Sequence, residues 1–504
     1  MNFYLANIQS MKLTNEQIQI LEAKEDSFVI NAVAGSGKTT TLLEYVKNHP
    51  NKKILYLAYN KSLQVSLTQK LINYNLNNLY VSTIHSLAYK KIGAHNYSLV
   101  NELKNYILEE ELSMFMLQKG KSYLPSDKYV TLVKDIINFY CNSSLIQIDN
   151  KLLTKYKNNS DINAKVIELI NENSEDLLMH VKHILSCMKT GKIQAIHDFY
   201  LKMFQLNNKA LNSLNYDLIL VDEAQDISDV MIAIVESQNC SKIYVGDSFQ
   251  QIYSFRYASN ALKKVKYKNY SLSHSFRFCD SYASTIRVFL NKFYLKHTDL
   301  NLKLNGLAQS TKIGKEFINK TEQFTIIART TFGLIQELVN YIHKDYKFYF
   351  EGGYNSYSFM NSTVYSIYYL KEKKHEKISI DEIKEFNSIK ELENYSVDVK
   401  NQDYLNIIKF VNEFGNNIFE INKKIKEKIV TKKEDANIIF TTTHKSKGLE
   451  YNQVILADDF ITQKDIDNPK KNFTKDKIVD ELNILYVALT RVKKAIYYKK
   501  FNER

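Results

Sequence analysis

Ala32-Val33-Ala34-Gly35-Ser36-Gly37-Lys38-Thr39-Thr40 stands between the apolar run Phe28-Val29-Ile30 and the helix-like Leu42-Leu43-Glu44-Tyr45-Val46. Buried strand, glycine-bearing turn and helix follow one another in the order of a phosphate-binding loop. Glycines let backbone N–H groups curl around phosphate oxygens, and the dipole of the helix that follows adds partial positive charge. Lys38 is expected to reach the β- and γ-phosphates, and Thr39 to offer its hydroxyl to Mg²⁺. The run from Ala32 to Thr40 is therefore the expected nucleotide-binding segment, with Mg²⁺ beside the phosphates. Ala32 stands where the general pattern has its first glycine, so the loop alone names no family. Such a loop belongs to an α/β fold with a parallel sheet, in which ligand-binding groups collect at strand ends.

A second acidic element fits the first. Leu218-Ile219-Leu220-Val221 runs straight into Asp222-Glu223-Ala224-Gln225-Asp226, an apolar strand followed at once by paired acids. In a nucleotide hydrolase the first acid holds the Mg²⁺ shell and the second orients and deprotonates the attacking water. Asp222 and Glu223 are expected in those roles, Asp222 sharing the metal with Thr39.

Composition bounds the rest. The 504 residues suffice for more than one core, and 44% hydrophobic with 24% charged residues is ordinary for globular domains. Every apolar run is broken well short of the roughly 18 residues of a membrane span, and the first residues lack the pattern of a signal peptide. The expectation is a cytoplasmic protein with no membrane partner. Cys141, Cys187, Cys240 and Cys279 are scattered, without the paired spacing of a disulfide framework or a zinc site. His180 and His183 stand three apart on an amphipathic stretch, but no Cys or carboxylate completes a convincing ligand set, so no metal centre is expected there. A net charge of +13 favours a polyanionic partner, although a bias toward Lys, Asn, Ile and Tyr contributes to it. The 36 Tyr and 26 Phe supply surfaces for base stacking, most of which must be core.

Taken in order, Met11 directly precedes Leu13-Thr14-Asn15-Glu16-Gln17 and is a candidate start. Strands are expected at 53–59 and 80–83. From 98 to 206 the period turns helical: Tyr129, Leu132, Val133, Ile136, Ile137 and Tyr140 make one apolar stripe, and Leu177, Leu178, Val181, Ile184, Leu185 and Met188 another. A Lys- and Asn-rich turn is expected at 155–160. The sheet resumes at 216–221 and 242–245, and a second α/β unit opens near Leu272. A strand at 324–329 precedes a second helical insertion, with lysine-heavy turns at 371–374 and 423–428, before strands at 437–440 and 495–498. The expected domains are thus 1–97 with 207–270, interrupted by 98–206, and 271–355 with 433–504, interrupted by 356–432.

The remaining motifs carry a resemblance. Asp222-Glu223-Ala224-Gln225-Asp226 is followed by Gly246-Asp247-Ser248-Phe249-Gln250-Gln251-Ile252-Tyr253-Ser254-Phe255-Arg256 and by Leu272-Ser273-His274-Ser275-Phe276-Arg277. Gly352-Gly353, Thr443-His444-Lys445-Ser446-Lys447-Gly448-Leu449-Glu450 and Leu485-Tyr486-Val487-Ala488-Leu489-Thr490-Arg491 complete the set. In this order the chain resembles superfamily 1 DNA helicases of the UvrD/Rep/PcrA type over nearly its whole length. Within them it is most similar to the catalytic core of the F-box DNA helicases, through His197-Asp198-Phe199-Tyr200-Leu201-Lys202, Ser275-Phe276-Arg277-Phe278 and Ala457-Asp458-Asp459-Phe460. No room for an F-box is expected ahead of these motifs, and no ubiquitin-ligase role is carried over.

The resemblance implies two RecA-like parallel-sheet domains that use ATP and Mg²⁺. Gln17 would read the adenine edge, Phe276 would stack on the base and Glu450 would meet the ribose. Gln250 would sense the γ-phosphate, and Arg277 and Arg491 would neutralise transition-state charge as arginine fingers. The implied single-stranded DNA track is Tyr59, Asn60, Lys61, Thr83, His85, Tyr253, Phe255, Arg256 and His444, with aromatic rings on bases and cations on phosphates. The aromatic members could instead belong to the core. Thr40 stands where UvrD-like enzymes commonly have arginine, and Tyr257 where they have glycine. The second insertion is short and shows no duplex-binding hairpin. The expected activity is ATP-dependent 3′–5′ movement on single-stranded DNA and 3′-tailed duplex, in repair, recombination or defence, with a nuclease or repair partner. Two rival readings stay open: an ATP-gated DNA-binding or recruitment module, and the motor subunit of a nuclease complex.

Overall fold

Val, Ile, Leu and Phe crowd the short runs read as strands, and the central ones are buried throughout, as in a parallel sheet covered by helices on both faces. A computed structural model of the chain describes residues 13–501 apart from 72–73, 75, 121–124, 159–161, 163, 299, 358–360, 399–400 and 470–473; Met11 lies outside the described residues. Two units divide the chain, Met1–Ser273 and His274–Arg504.

In the first unit β1 (Phe28–Ala32), β2 (Ile54–Leu57) and β3 (Leu79–Ser82) come before the insertion. Two-residue strands β4 (Leu99–Val100) and β5 (Ala195–Ile196) pair in parallel and close the insertion at its base. Then follow β6 (Leu218–Val221), β7 (Ser241–Gly246) and β8 (Lys268–Leu272). The parallel order is β3-β2-β6-β7-β1-β8. This order sets the ends of β1, β6 and β7 side by side, so the phosphate loop, the paired acids and Asp247 emerge from adjacent strands. The second unit opens at His274, two residues past Leu272, which is the last residue of β8 and pairs with Ala32. The exposed Lys268 and Asn269 mask β8 as a strand because it is an edge, buried only at its end.

Both apolar stripes of the first insertion are helical core faces, on Asp127–Asn142 and Ser174–Thr190. The expected turn at 155–160 is corrected in its first part: Lys155 and Lys157 lie in the helix Asn150–Lys157, whose Leu152, Leu153 and Tyr156 are buried. Residues 159–160 lie outside the described set. The histidine reading is corrected in one point: a Cys and a carboxylate do stand beside His183. Cys187 follows His183 by one helical turn, and Glu111 reaches both from the helix Asn105–Gln118. The sequence hides this because Glu111 precedes His183 by 72 residues.

In the second unit β9 (His274–Ser275) pairs with β10 (Asn305–Gly306). The main sheet comprises β11 (Lys312–Ile313), β12 (Phe324–Ala328), β13 (Phe348–Phe350), β14 (Ile438–Thr442), β15 (Tyr451–Leu456) and β16 (Val492–Tyr497). They run parallel in the order β11-β16-β15-β12-β14-β13. Helices Ser362–Lys371, Gln402–Phe414 and Asn417–Lys428 fill the interval between β13 and β14. The expected turn at 423–428 is helix: Ile418, Ile421 and Ile425 recur at helical spacing and are buried, while the lysines between them line the outer face. Among the described residues no helix is long and apolar enough to cross a membrane.

Candidate nucleotide-hydrolysing and nucleic-acid site

The loop after β1 enters the helix Lys38–Lys47 through Gly35 (φ 73°) and Gly37 (φ 77°), left-handed positions that glycine takes without steric cost. Val33 N–H donates to Leu272 O at 2.9 Å, and Thr41 N–H to Gly37 O at 2.9 Å, so the loop is tied to sheet and helix alike. Ala32, Val33 and Ala34 are buried, and Thr40 is half-buried in the first turn. Ser36 is 2% exposed and its hydroxyl has no hydrogen-bond partner. A buried, unpartnered hydroxyl at a helix N-terminus is the kind of group a phosphate oxygen satisfies. Gln17 is buried beside this helix; its Nε2 donates to Thr41 Oγ1 and its Oε1 accepts from Thr14 N–H, each at 2.9 Å.

Lys38 Nζ donates to Glu223 Oε1 at 2.8 Å. Burial works against the ammonium, but the carboxylates of Glu223, Asp222 and Asp247 outweigh it and raise its pKa above the ordinary value. Glu223 has φ 51°, a left-handed conformation that costs a non-glycine residue roughly 1–2 kcal/mol. That turn swings its carboxylate off the line of β6 toward the phosphate loop. It is held by Glu223 N–H on Asp222 Oδ1 (2.8 Å) and by Ala224 N–H on Val245 O (2.9 Å). Tyr56, on β2 next to β6, donates to Asp222 Oδ2 at 2.6 Å and also meets the Thr39 hydroxyl. One phenol therefore joins the two expected Mg²⁺ ligands. Burial and the adjacent Glu223 charge push the Asp222 carboxyl upward, with Lys38 and Tyr56 opposing. An anionic oxygen and a hydroxyl, both hard donors, suit Mg²⁺.

From Glu223 the network continues inward. Gln225 Nε2 donates to Glu223 Oε2 at 2.6 Å, while Gln225 Oε1 accepts from Asp247 N–H at 3.1 Å. Gln250 Nε2 donates to Asp247 Oδ2 at 2.8 Å. Gly246 makes room for this bridge: a Cβ there would lie 2.1 Å from Gln225 Oε1 and 3.0 Å from Ala224 N. Tyr56, Gln225 and Asp247 are the members to which sequence reasoning assigns no role. Only the adjacency of β2, β6 and β7 joins them to Lys38 and Glu223.

Several residues of the expected DNA track gather at neighbouring strand ends. Tyr59 stacks on Tyr253 (5.8 Å between centroids, 18° between planes), and the Arg256 guanidinium lies 5.8 Å from the Tyr253 ring centre. Asn60 and Lys61 are exposed at the start of a helix, where Asn60 Oδ1 accepts from Leu63 N–H. Thr83 is buried as the cap of the helix Ile84–Lys91, its Oγ1 accepting from Ser86 N–H at 3.0 Å. A narrow cleft lined by Tyr59, His85 and Asp222 among others brings the first two beside Asp222. The Phe255 side chain lies outside the described residues.

In the second unit Phe276 is 47% exposed. Arg277 donates through Nε and Nη2 to Glu450 Oε1 (3.0 and 2.6 Å) and through Nη1 to Thr490 O. Glu450 also pairs with Lys493 at 2.7 Å. Burial opposes its ionisation, yet Arg277 and Lys493 prevail and lower its pKa to about 2. Arg491 is 1% exposed, with Nε on Val487 O (2.9 Å) and Nη1 on Leu449 O (3.2 Å). His444 lines a cavity of about 670 Å³ with Arg329, Thr330 and Asp459.

The family model for the UvrD/REP helicase N-terminal domain matches residues 13–271. The chain belongs to the UvrD/REP helicase family. It is similar to F-box DNA helicase 1 of Gallus gallus, 29% identical over 98% of this chain and 50% of the relative. It is also similar to F-box DNA helicase protein 1 of Schizosaccharomyces pombe, 29% identical over 96% of this chain and 57% of the relative. With a probable DNA helicase II homolog of Mycoplasma genitalium it shares 27% identity over 50% of this chain and 37% of the relative. The chain thus spans about half the length of the two F-box relatives.

Two motifs behind the F-box resemblance have defined positions in this UvrD/REP-family chain. Asp198 accepts from Asn142 Nδ2 at 2.8 Å and pairs with His85 Nε2 at 3.2 Å, tying an expected DNA contact to the first insertion. Lys202 is fully buried and donates to Ser143 O and Leu145 O at 2.7 and 2.8 Å; burial pulls its pKa down to about 8. Asp459 accepts from Arg329 N–H and Thr330 N–H just ahead of the helix Thr331–Val339, whose N-cap is Thr330.

Proposed function

We propose that the chain is an ATP-dependent motor that moves 3′ to 5′ along single-stranded DNA and separates strands, in repair, recombination or defence. The observation that carries this reading is the chain of hydrogen bonds from Lys38 through Glu223 and Gln225 to Asp247 and Gln250, the last three residues of which are buried. A site that only binds nucleotide needs Lys38 and the loop; it has no use for a strained acid wired to a glutamine past the end of the next strand.

The residues fit ATP and Mg²⁺. Thr39 and Asp222 would hold the metal, and Ser36 offers a buried hydroxyl to phosphate. Bound there, Mg²⁺ supplies positive charge to the β- and γ-phosphate oxygens. Lys38 exchanges Glu223 for those oxygens, which frees the Glu223 carboxylate to orient water and take its proton, a role worth roughly 10²–10⁴ in rate. Gln225 keeps Glu223 turned the right way, and Gln250 reports on the γ-phosphate through Asp247. Arg277 and Arg491 act as arginine fingers, and Glu450 is the resting partner of Arg277. Tyr253 and Tyr59 offer ring faces to bases while Lys61 and Arg256 follow phosphates. Phe255 and His444 extend the same track.

Polarity rests on the likeness of residues 250–256 to the family pattern. The second insertion is confined to a few helices, which supports translocation more strongly than vigorous duplex opening. The test is strand displacement on matched 3′-tailed and 5′-tailed duplexes with ATPase measured alongside. ATP-dependent opening of the 3′-tailed substrate is expected. Preference for the 5′ tail would reverse the polarity, and ATP-dependent binding without displacement or movement would favour a recruitment module.

A further inference from the structure

The first insertion carries a cluster that the nucleotide site does not use. His183 and Cys187 stand one turn apart on the helix Ser174–Thr190, and Glu111 approaches from the helix Asn105–Gln118. His183 Nε2 lies 2.8 Å from Glu111 Oε1, Cys187 Sγ 3.4 Å from the same oxygen, and Cys187 Sγ 3.5 Å from His183 Nε2. Glu111 is 3% exposed and Cys187 5%.

These spacings are close to those of a metal tetrahedron. Bond lengths of about 2.3 Å to sulfur and about 2.0–2.2 Å to nitrogen and oxygen give edges of roughly 3.4–3.6 Å. Both edges that end on sulfur already have that length. The nitrogen–oxygen edge is a hydrogen bond and needs to open by roughly half an ångström, a small side-chain adjustment.

A buried carboxylate needs a counter-charge, and Glu111 takes it from Lys192 Nζ at 2.6 Å. Burial would raise the Glu111 pKa, but Lys192, His183 and Cys187 hold it below its ordinary value. The Lys192 side chain is 48% exposed and stands just beyond the helix end, so its ammonium can withdraw into water without uncovering core. Phe115 stacks on the His183 ring (3.9 Å, 19°), fixing the imidazole plane. A shallow surface hollow lined by Phe115, Glu175, Lys182 and His183 among others brings solvent to the His183 side of the cluster.

We propose that Glu111, His183 and Cys187 bind a borderline divalent transition-metal ion, Zn²⁺ by preference, which pins the helix Asn105–Gln118 to the helix Ser174–Thr190. One thiolate, one imidazole and one carboxylate form a donor set that Mg²⁺ does not favour, so the site is chemically separate from the nucleotide centre. On binding, the Cys187 thiol gives its proton to solvent as the metal–sulfur bond forms, and the metal replaces Lys192 as the partner of Glu111. Without metal, burial and the Glu111 carboxylate push the Cys187 thiol up to about 11, so it carries that proton at neutral pH.

The test uses the full chain, stripped with chelator and kept free of nucleotide, titrated with Co²⁺ and then with Zn²⁺. One equivalent of Co²⁺ should give a thiolate-to-cobalt charge-transfer absorption that Zn²⁺ abolishes and excess Mg²⁺ does not, and Zn²⁺ should raise the melting temperature. Cys187→Ser should lose the absorption and bind at least roughly 10–100-fold more weakly. Lys192→Ala should bind more tightly than the parent, because the competing ammonium is gone. Absence of the absorption in the parent, or its persistence in Cys187→Ser, overturns the proposal. So does a Lys192→Ala chain that melts earlier yet binds Co²⁺ no better, which would make the cluster an ion pair between helices and nothing more.

Discussion

In the first unit Lys38, Glu223, Gln225, Asp247 and Gln250 each hold the next, and Gln225 and Asp222 are 0% and 2% exposed. In the second unit Arg277, its own side chain 8% exposed, rests on Glu450, whose side chain is 36% exposed and shared with Lys493. Burial makes the first arrangement stiff: in a low-dielectric interior each bond is strong, and each unpartnered group is costly. In the second, solvent reaches the Glu450 and Lys493 side of the pair and salt screens it there, so that bond is easier to exchange than one inside the first network. On the proposed reading, the residues that position water are over-determined, whereas the cation that meets the transition state is held by a partner it can leave.

Substitutions should therefore divide differently between chemistry and stability. The largest effect is expected from Arg277→Gln, which should lower DNA-stimulated ATP turnover by roughly 10³-fold or more; the lost bonds to Glu450 and Thr490 O should also lower the melting temperature, by far less than unfolding the chain. A chain that melts much earlier with turnover unchanged would make Arg277 structural and erase the contrast. Gly246→Ala should come next. Its Cβ would stand 2.1 Å from Gln225 Oε1, so the glutamine is displaced and Glu223 loses its guide. Turnover should fall on the order of 10²-fold with the KM for ATP near that of the parent, because the phosphate loop is untouched. A raised KM with normal turnover would show that the bridge serves binding instead.

The smallest effect concerns Glu450. Its pKa is lowered from 4.5 to about 2, with burial outweighed by Arg277 and Lys493, so folding favours the charged form. The stability this gives is present above the unfolded value of 4.5 and is lost as pH falls toward 2. Glu450→Gln should therefore melt slightly earlier than the parent at neutral pH, and the gap should close on acidification through that window. Added salt should narrow it as well. A gap that widens in acid would contradict the assigned pair.

The sequence was legible where chemistry and spacing are local. The run from Phe28 to Val46 spells strand, loop and helix in one stretch, and Asp222-Glu223 follow their strand directly. Tyr56 could not be read this way, since it looks like one more apolar member of β2 until β2 lies beside β6. Gln225 and Asp247 needed the adjacency of β6 and β7 in the same manner. Glu111 is one acid among many until two helices of the insertion meet. The lysines of 423–428 concealed a helix because solvent-facing residues outnumber the isoleucines that anchor it. Tyr257, noted for standing where glycine is usual, does have a left-handed φ of 60°, with its ring against Phe139 and its hydroxyl on Asp135 O.

The account turns on Glu223 as the residue that handles the attacking water. The most direct test is ATP hydrolysis by Glu223→Gln in the full chain with Mg²⁺ and single-stranded DNA, beside equilibrium binding of ATP and DNA. The amide keeps the shape of the side chain but cannot take a proton at neutral pH. The account predicts near-parent binding of both ligands with turnover lowered by roughly 10²–10⁴. Hydrolysis at the parent rate by a properly folded Glu223→Gln chain would contradict it.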